Sequence, residues 1–159
     1  MNFFDFFYRW KSFYGVQLFE HMKGYDDALM DYNPDFNQFP SLFLWTIGIV
    51  VAVFVLYYYI INSPRLVKWW HWLISMAIVA VLTYWVGFRT VIVDVNNRTV
   101  TPSLQPYVGH NSALMFGIYN MVLAMVFYFV FTLLFRRWSK NCKHSPWVLL
   151  TTKLINRKK

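Results

Sequence analysis

The side chains able to do chemistry are few and poorly grouped. His71 and Ser75 stand four positions apart, which on a helix places both on one face and would suit a serine–histidine dyad. No third member or oxyanion donor accompanies them, and His71 falls among Trp69, Trp70 and Trp72. An interfacial histidine and a helix-packing serine are the expected roles. Cys142 and His144 are close in sequence without further ligands nearby, whereas zinc normally takes three or four protein ligands. Asp26, Asp27, Asp31 and Asp35 crowd together as a cation site would. They lack the glycine and terminal glutamate of a calcium loop, so a solvated linker is expected. Neither a Gly-rich phosphate loop nor a His-Glu-x-x-His pair occurs. The expectation is a non-enzymatic chain with no catalytic residue, cofactor or metal.

The elements that must position these residues are set by hydropathy. The chain has 159 residues, 58% of them hydrophobic, 22% aromatic and only 14% charged, too little charge to clothe a soluble domain of this size. The apolar residues gather in three blocks, at about 42–61, 69–88 and 113–135. At about 1.5 Å per residue, roughly twenty residues make a helix about 30 Å long, the thickness of a bilayer core. The fold class expected is therefore an all-α membrane protein with three transmembrane helices. The domain reading is an extracytoplasmic segment 1–41, a membrane domain 42–135 with an outer loop 89–112, and a basic cytoplasmic tail 136–159.

No Asp, Glu, Lys or Arg lies within the blocks, although moving ions or protons across a bilayer calls for such groups. What the blocks do carry is small residues at helical spacing. Gly48 and Ala52 form a small-xxx-small pair on the first, Ala80, Thr83 and Gly87 a stripe on the second, and Ala113 and Gly117 a pair on the third. Such residues let helix backbones approach, and Asn120 could add an interhelical hydrogen bond of about 0.6–2 kcal/mol. Gly48, Ala52, Ala80, Gly87, Gly117 and Asn120 are accordingly the candidate helix-packing or partner contacts.

In the first segment, Phe3, Phe6, Phe7, Trp10, Phe13, Tyr14, Leu18 and Met22 recur at helical spacing. The pattern predicts an amphipathic helix from Phe3 to Met22, ended by Gly24. Its aromatic face, with Phe3, Phe7, Trp10 and Tyr14 foremost, suits either the headgroup layer or a partner protein. A basic leader region and a small-residue cleavage site are both missing at the start, so no cleaved signal is expected. Ser41 is a candidate N-cap for the first span. In the outer loop, Thr90–Val95 and Arg98–Thr101 flank Asn96-Asn97 and predict a small β-hairpin. In the tail, Ser145-Pro146 opens a short helix whose basic end would be attracted to anionic lipid.

The net charge of +8 is explained by topology, without nucleic acid. Ten Lys and Arg lie in the first loop and the tail, and five in the N-terminal segment and outer loop. The positive-inside bias puts the C-terminus in the cytoplasm and the N-terminus outside. Expected partners are the bilayer, other membrane subunits and anionic lipid at the tail. The leading functional expectation is a subunit or scaffold of a larger membrane assembly, of the bacterial envelope, secretion or injection kind. Its bacterial part, with the inner membrane as location, is a prior tied to no residue. The alternatives are a holin-like self-assembling protein, since three spans with a basic tail resemble the layout of some phage holins, and a membrane immunity protein against a pore-forming toxin.

Overall fold

The computed structural model describes residues 6–61 and 69–135. Phe3, the first loop and the whole tail, with Cys142, His144 and the Ser145-Pro146 helix, lie outside the described residues.

The amphipathic pattern at the N-terminus becomes two short helices, α1 (Lys11–Tyr14) and α2 (Val16–Lys23), with a turn at Tyr8 before them. Gly15, at φ 109°, breaks the expected single helix because its backbone lies where side-chain-bearing residues are rarely found. Gly24 then closes α2 in the left-handed conformation, its N–H turned onto the Glu20 and His21 carbonyls. A Cβ here would come within 2.5 Å of the Asn33 carbonyl oxygen, so glycine is required twice over. Gly24→Ala is expected to cost about 1–3 kcal/mol, read as a lower unfolding midpoint of the purified chain in detergent.

The acidic stretch forms the sheet. β1 (Tyr25–Asp26) pairs antiparallel with β2 (Asp31–Tyr32), Tyr25 opposite Tyr32, and Lys23 Nζ lies 4.0 Å from the centre of the Tyr32 ring. A small hairpin was expected at 90–101. That position is corrected, because residues 90–97 continue the second span as α4 (Trp69–Asn97) and 98–101 form a turn after it. Their β-branched composition is overridden by tertiary packing: Val91 is buried in the core, and Asp94 meets partners on other elements. Thr90 Oγ1 donates to the Val86 carbonyl at 2.9 Å, the i−4 bond open to a threonine inside a helix. The helix stops at Arg98, whose φ is 56°. The loop beyond it is tied to the hairpin, with Thr101 Oγ1 donating to the Tyr25 carbonyl at 2.9 Å and Ser103 N to Asp27 at 3.0 Å. Asp27 is thus an anchor and not part of a free linker.

The first span is α3 (Phe39–Val55), continued by a π-helical turn at Leu56–Ile61. It starts two residues before the expected cap. Asn37 Oδ1 accepts from the Phe39 N–H at 3.0 Å, and Pro40 occupies the first turn, where its missing N–H costs nothing. The third span is α5 (His110–Phe135). Three helices, Pro34–Ile60, Trp70–Asn97 and His110–Phe135, are long and apolar enough to cross a membrane, as an integral membrane protein requires.

α4 and α5 share the most extensive contact. The core falls into two aromatic clusters. One, at the N-terminal end of α3, joins Tyr8, Tyr14, Leu18 and Met22 to Phe39, Leu42, Val91, Leu104 and Phe116. The other, toward the opposite end, gathers Val50, Phe54, Tyr58, Trp72, Val79, Ala124 and Tyr128. Between them lie Thr46, Thr83 and Asn120, one from each span and each wholly buried.

Candidate functional site

The polar layer between the clusters is centred on Asn120. Its Nδ2 donates to the Thr83 carbonyl at 2.8 Å, and its Oδ1 lies 3.1 Å from Thr46 Oγ1 and 3.3 Å from the Tyr8 hydroxyl. The Thr46 hydroxyl is also 2.9 Å from the Leu42 carbonyl, so its one proton is shared between two acceptors. In hydrocarbon an unmet amide is costly, and here the other two spans and the N-terminal arm satisfy it. Among the described residues, no Asp, Glu, His, Lys or Arg takes part in it. The layer ties the three spans and the arm together at one level.

Close backbone approach permits this. A Cβ on Gly87 would stand 3.0 Å from Asn120 Cβ and 3.3 Å from Gly117 Cα, and one on Gly117 would stand 2.9 Å from the Tyr84 ring. Gly87, Gly117 and Asn120 therefore meet at the α4–α5 crossing, and Ala80 is buried in α4. Gly48 and Ala52 are placed differently. Both are exposed, and a Cβ on Gly48 would meet nothing within 4 Å.

The N-terminal aromatics divide in the same way. Phe7 stacks on Phe43 of α3, ring centres 5.0 Å apart, and sets its edge on Phe127 of α5 at 5.3 Å. Tyr8 stacks on Phe39 at 4.9 Å. Tyr14 is buried against Phe116 and donates its hydroxyl to the Tyr8 carbonyl. Burial pushes the Tyr14 hydroxyl well above the usual tyrosine range, with Tyr119 adding to the shift, so it stays a donor. Trp10 instead points outward, 74% exposed. Because Phe127 lies past the midpoint of α5, the arm descends along the α3–α5 groove, and its inward face is covered by the protein's own spans.

A second polar cluster ties the arm to the end of α4. Asp94 Oδ2 accepts from Gln38 Nε2 at 2.7 Å and lies 3.1 Å from His21 Nε2, with His21 buried and Asp94 partly so. The sequence reading overlooked this pair. Its signal was that Asp94 is the sole carboxylate after residue 35. Tyr8, Thr46 and Thr83 were also passed over as an Asn120 shell, although polar residues within apolar blocks are the natural place to look.

The His71–Ser75 pair forms no dyad among the described residues. Ser75 Oγ lies 2.7 Å from the Trp72 carbonyl and 2.6 Å from the Tyr128 hydroxyl, while the His71 ring stacks on Trp70, ring centres 3.6 Å apart. Among the described residues, no three His, Cys, Asp or Glu side chains converge to hold a metal. The chain matches no family model, no curated protein and no solved structure.

Proposed function

We propose that the chain is a non-enzymatic integral-membrane subunit or scaffold of a larger membrane assembly, of the bacterial envelope, secretion or injection kind. In this reading its N-terminal arm faces outside and its tail the cytoplasm. The observation carrying the proposal is the outward face of α3. Ser41, Leu44, Gly48, Ala52 and Val55 follow one another at three- or four-residue spacing, and all are exposed. The small stripes of α4 and α5 are spent inside the bundle, so Gly48 and Ala52 remain as a flat track where a foreign helix can approach closely.

The test is the native mass of the complex after mild detergent extraction from its own membrane, with the components identified. A large particle containing different proteins is expected. Gly48→Leu combined with Ala52→Leu should leave the chain folded but reduce its recovery in that particle about tenfold, a loss in keeping with helix–helix contacts of about 1–2 kcal/mol. A monomer would refute the reading, and a homo-oligomer would bring the holin-like and immunity alternatives forward.

A further inference from the structure

Between the outward faces of α3 and α4, at the end where the N-terminal arm docks, lies an open groove of about 790 Å³. That is within the roughly 300–1,000 Å³ of sites for small organic ligands. Its walls have a matching order on the two helices. Ser41 stands four residues before Trp45 on α3, and Arg89 four residues after Trp85 on α4. Because the two helices run in opposite directions, each wall presents a polar side chain one turn nearer the bundle's end than its tryptophan. Both tryptophans are exposed, at 67% and 58%. The groove is therefore apolar on its deeper side and polar above, the gradient found across a membrane interface.

The lining carries one cation, Arg89, and two carboxylates, Asp94 and Asp35. Arg89 directly follows the uncharged run ending at Phe88, and it forms no ion pair among the described residues. Of the two carboxylates lining the groove, Asp94 is held by His21 and Gln38, while Asp35 is exposed on the 3-10 turn at Pro34–Phe36. A guanidinium above two tryptophans fits a phosphate that carries hydrocarbon beneath it, since arginine's fork binds phosphate oxygens in pairs. A free phosphate would make no use of the apolar wall.

We propose that this groove binds one glycerophospholipid, its phosphate on Arg89 and its acyl chains running past Trp45 and Trp85. The bound lipid wedges α3 against α4 at the level where the arm docks. The groove adjoins the Gly48–Ala52 track and shares Ser41 with that face of α3, but lipid binding in it does not depend on a protein partner.

The experiment is native mass spectrometry of the full chain in a neutral detergent, titrated separately with dioleoylphosphatidylglycerol, with dioleoylglycerol and with glycerol phosphate. The phospholipid should bind about tenfold more tightly than the diacylglycerol, the scale of a charge-assisted hydrogen bond. Arg89→Gln should erase that difference, Arg89→Lys should keep most of it, and Arg9→Gln, at an exposed site away from the groove, should leave it unchanged. Trp85→Ala should weaken both lipids. Equal binding of the two lipids, a preference that survives Arg89→Gln, or displacement of the phospholipid by an equal concentration of glycerol phosphate would each overturn the proposal.

Discussion

Gly117→Leu is expected to separate α4 from α5 and lower the stability of the bundle by about 3 kcal/mol, the upper part of the usual range for overpacking. The Cβ alone would sit 2.9 Å from the Tyr84 ring and 3.1 Å from the Tyr84 backbone carbonyl. The ring can turn aside, but the carbonyl belongs to a helix and cannot. Moving α4 away also stretches the 2.8 Å bond from Asn120 to the Thr83 carbonyl, leaving an amide unmet in an apolar layer. The measurement is a detergent-unfolding titration followed by tryptophan fluorescence. Gly48→Leu is the matched control, because the same substitution there enters open space and should leave the midpoint in place. If the two variants unfold alike, the α4–α5 crossing is not the close contact described.

The second large effect belongs to the arm. Tyr8→Ala removes a wholly buried ring stacked on Phe39 and a hydroxyl bonded to Asn120. Deleting a buried aromatic costs about 3–5 kcal/mol, and ahead of α2 only Phe7 and Tyr14 remain to hold the chain, whereas α2 keeps Leu18, Met22 and the His21–Asp94 contact. Release of residues 6–14 is the expected result, with α2 and the three spans still in place. Amide exchange across residues 9–14 should then approach that of an open chain while exchange in α5 stays slow. Tyr8→Phe keeps the stacking and loses only the hydrogen bond, so a smaller effect near 1 kcal/mol is expected. Trp10→Ala, at a 74% exposed site, should leave the arm docked. Equal exchange in the Tyr8→Ala and parent chains would show that the arm is held elsewhere.

The number, placement and apolar composition of the three spans were legible because hydropathy over a bilayer-length window needs no neighbour to interpret it. The stop at Gly24 was legible too, since a glycine after a periodic run is a local signal. Two other features were not. The register of residues 90–97 was ambiguous, because β-branched residues fit a strand locally and a helix when Val91 and Asp94 find partners across the fold. The aromatic arm reads as amphipathic in sequence, but periodicity identifies an apolar face without identifying what covers it. Here the cover is Phe39, Phe43, Phe116 and Phe127, supplied by α3 and α5.

The same division runs through the small residues. Gly48–Ala52 and Gly87, Ala113 and Gly117 have equivalent signatures in sequence, yet the first pair faces outward and the others are buried inside. The residues alone show three apolar stretches of membrane length, each with a close-packing stripe and each free of charge, although the second helix runs on beyond its stretch to Arg89 and Asp94. Packing settled which stripes the chain uses internally, brought one polar group from each of three other elements to Asn120, and left Arg89 beside an open groove. A helix's own pattern fixes its faces, but the rotation of each face toward its neighbours is set by the joint packing of all of them.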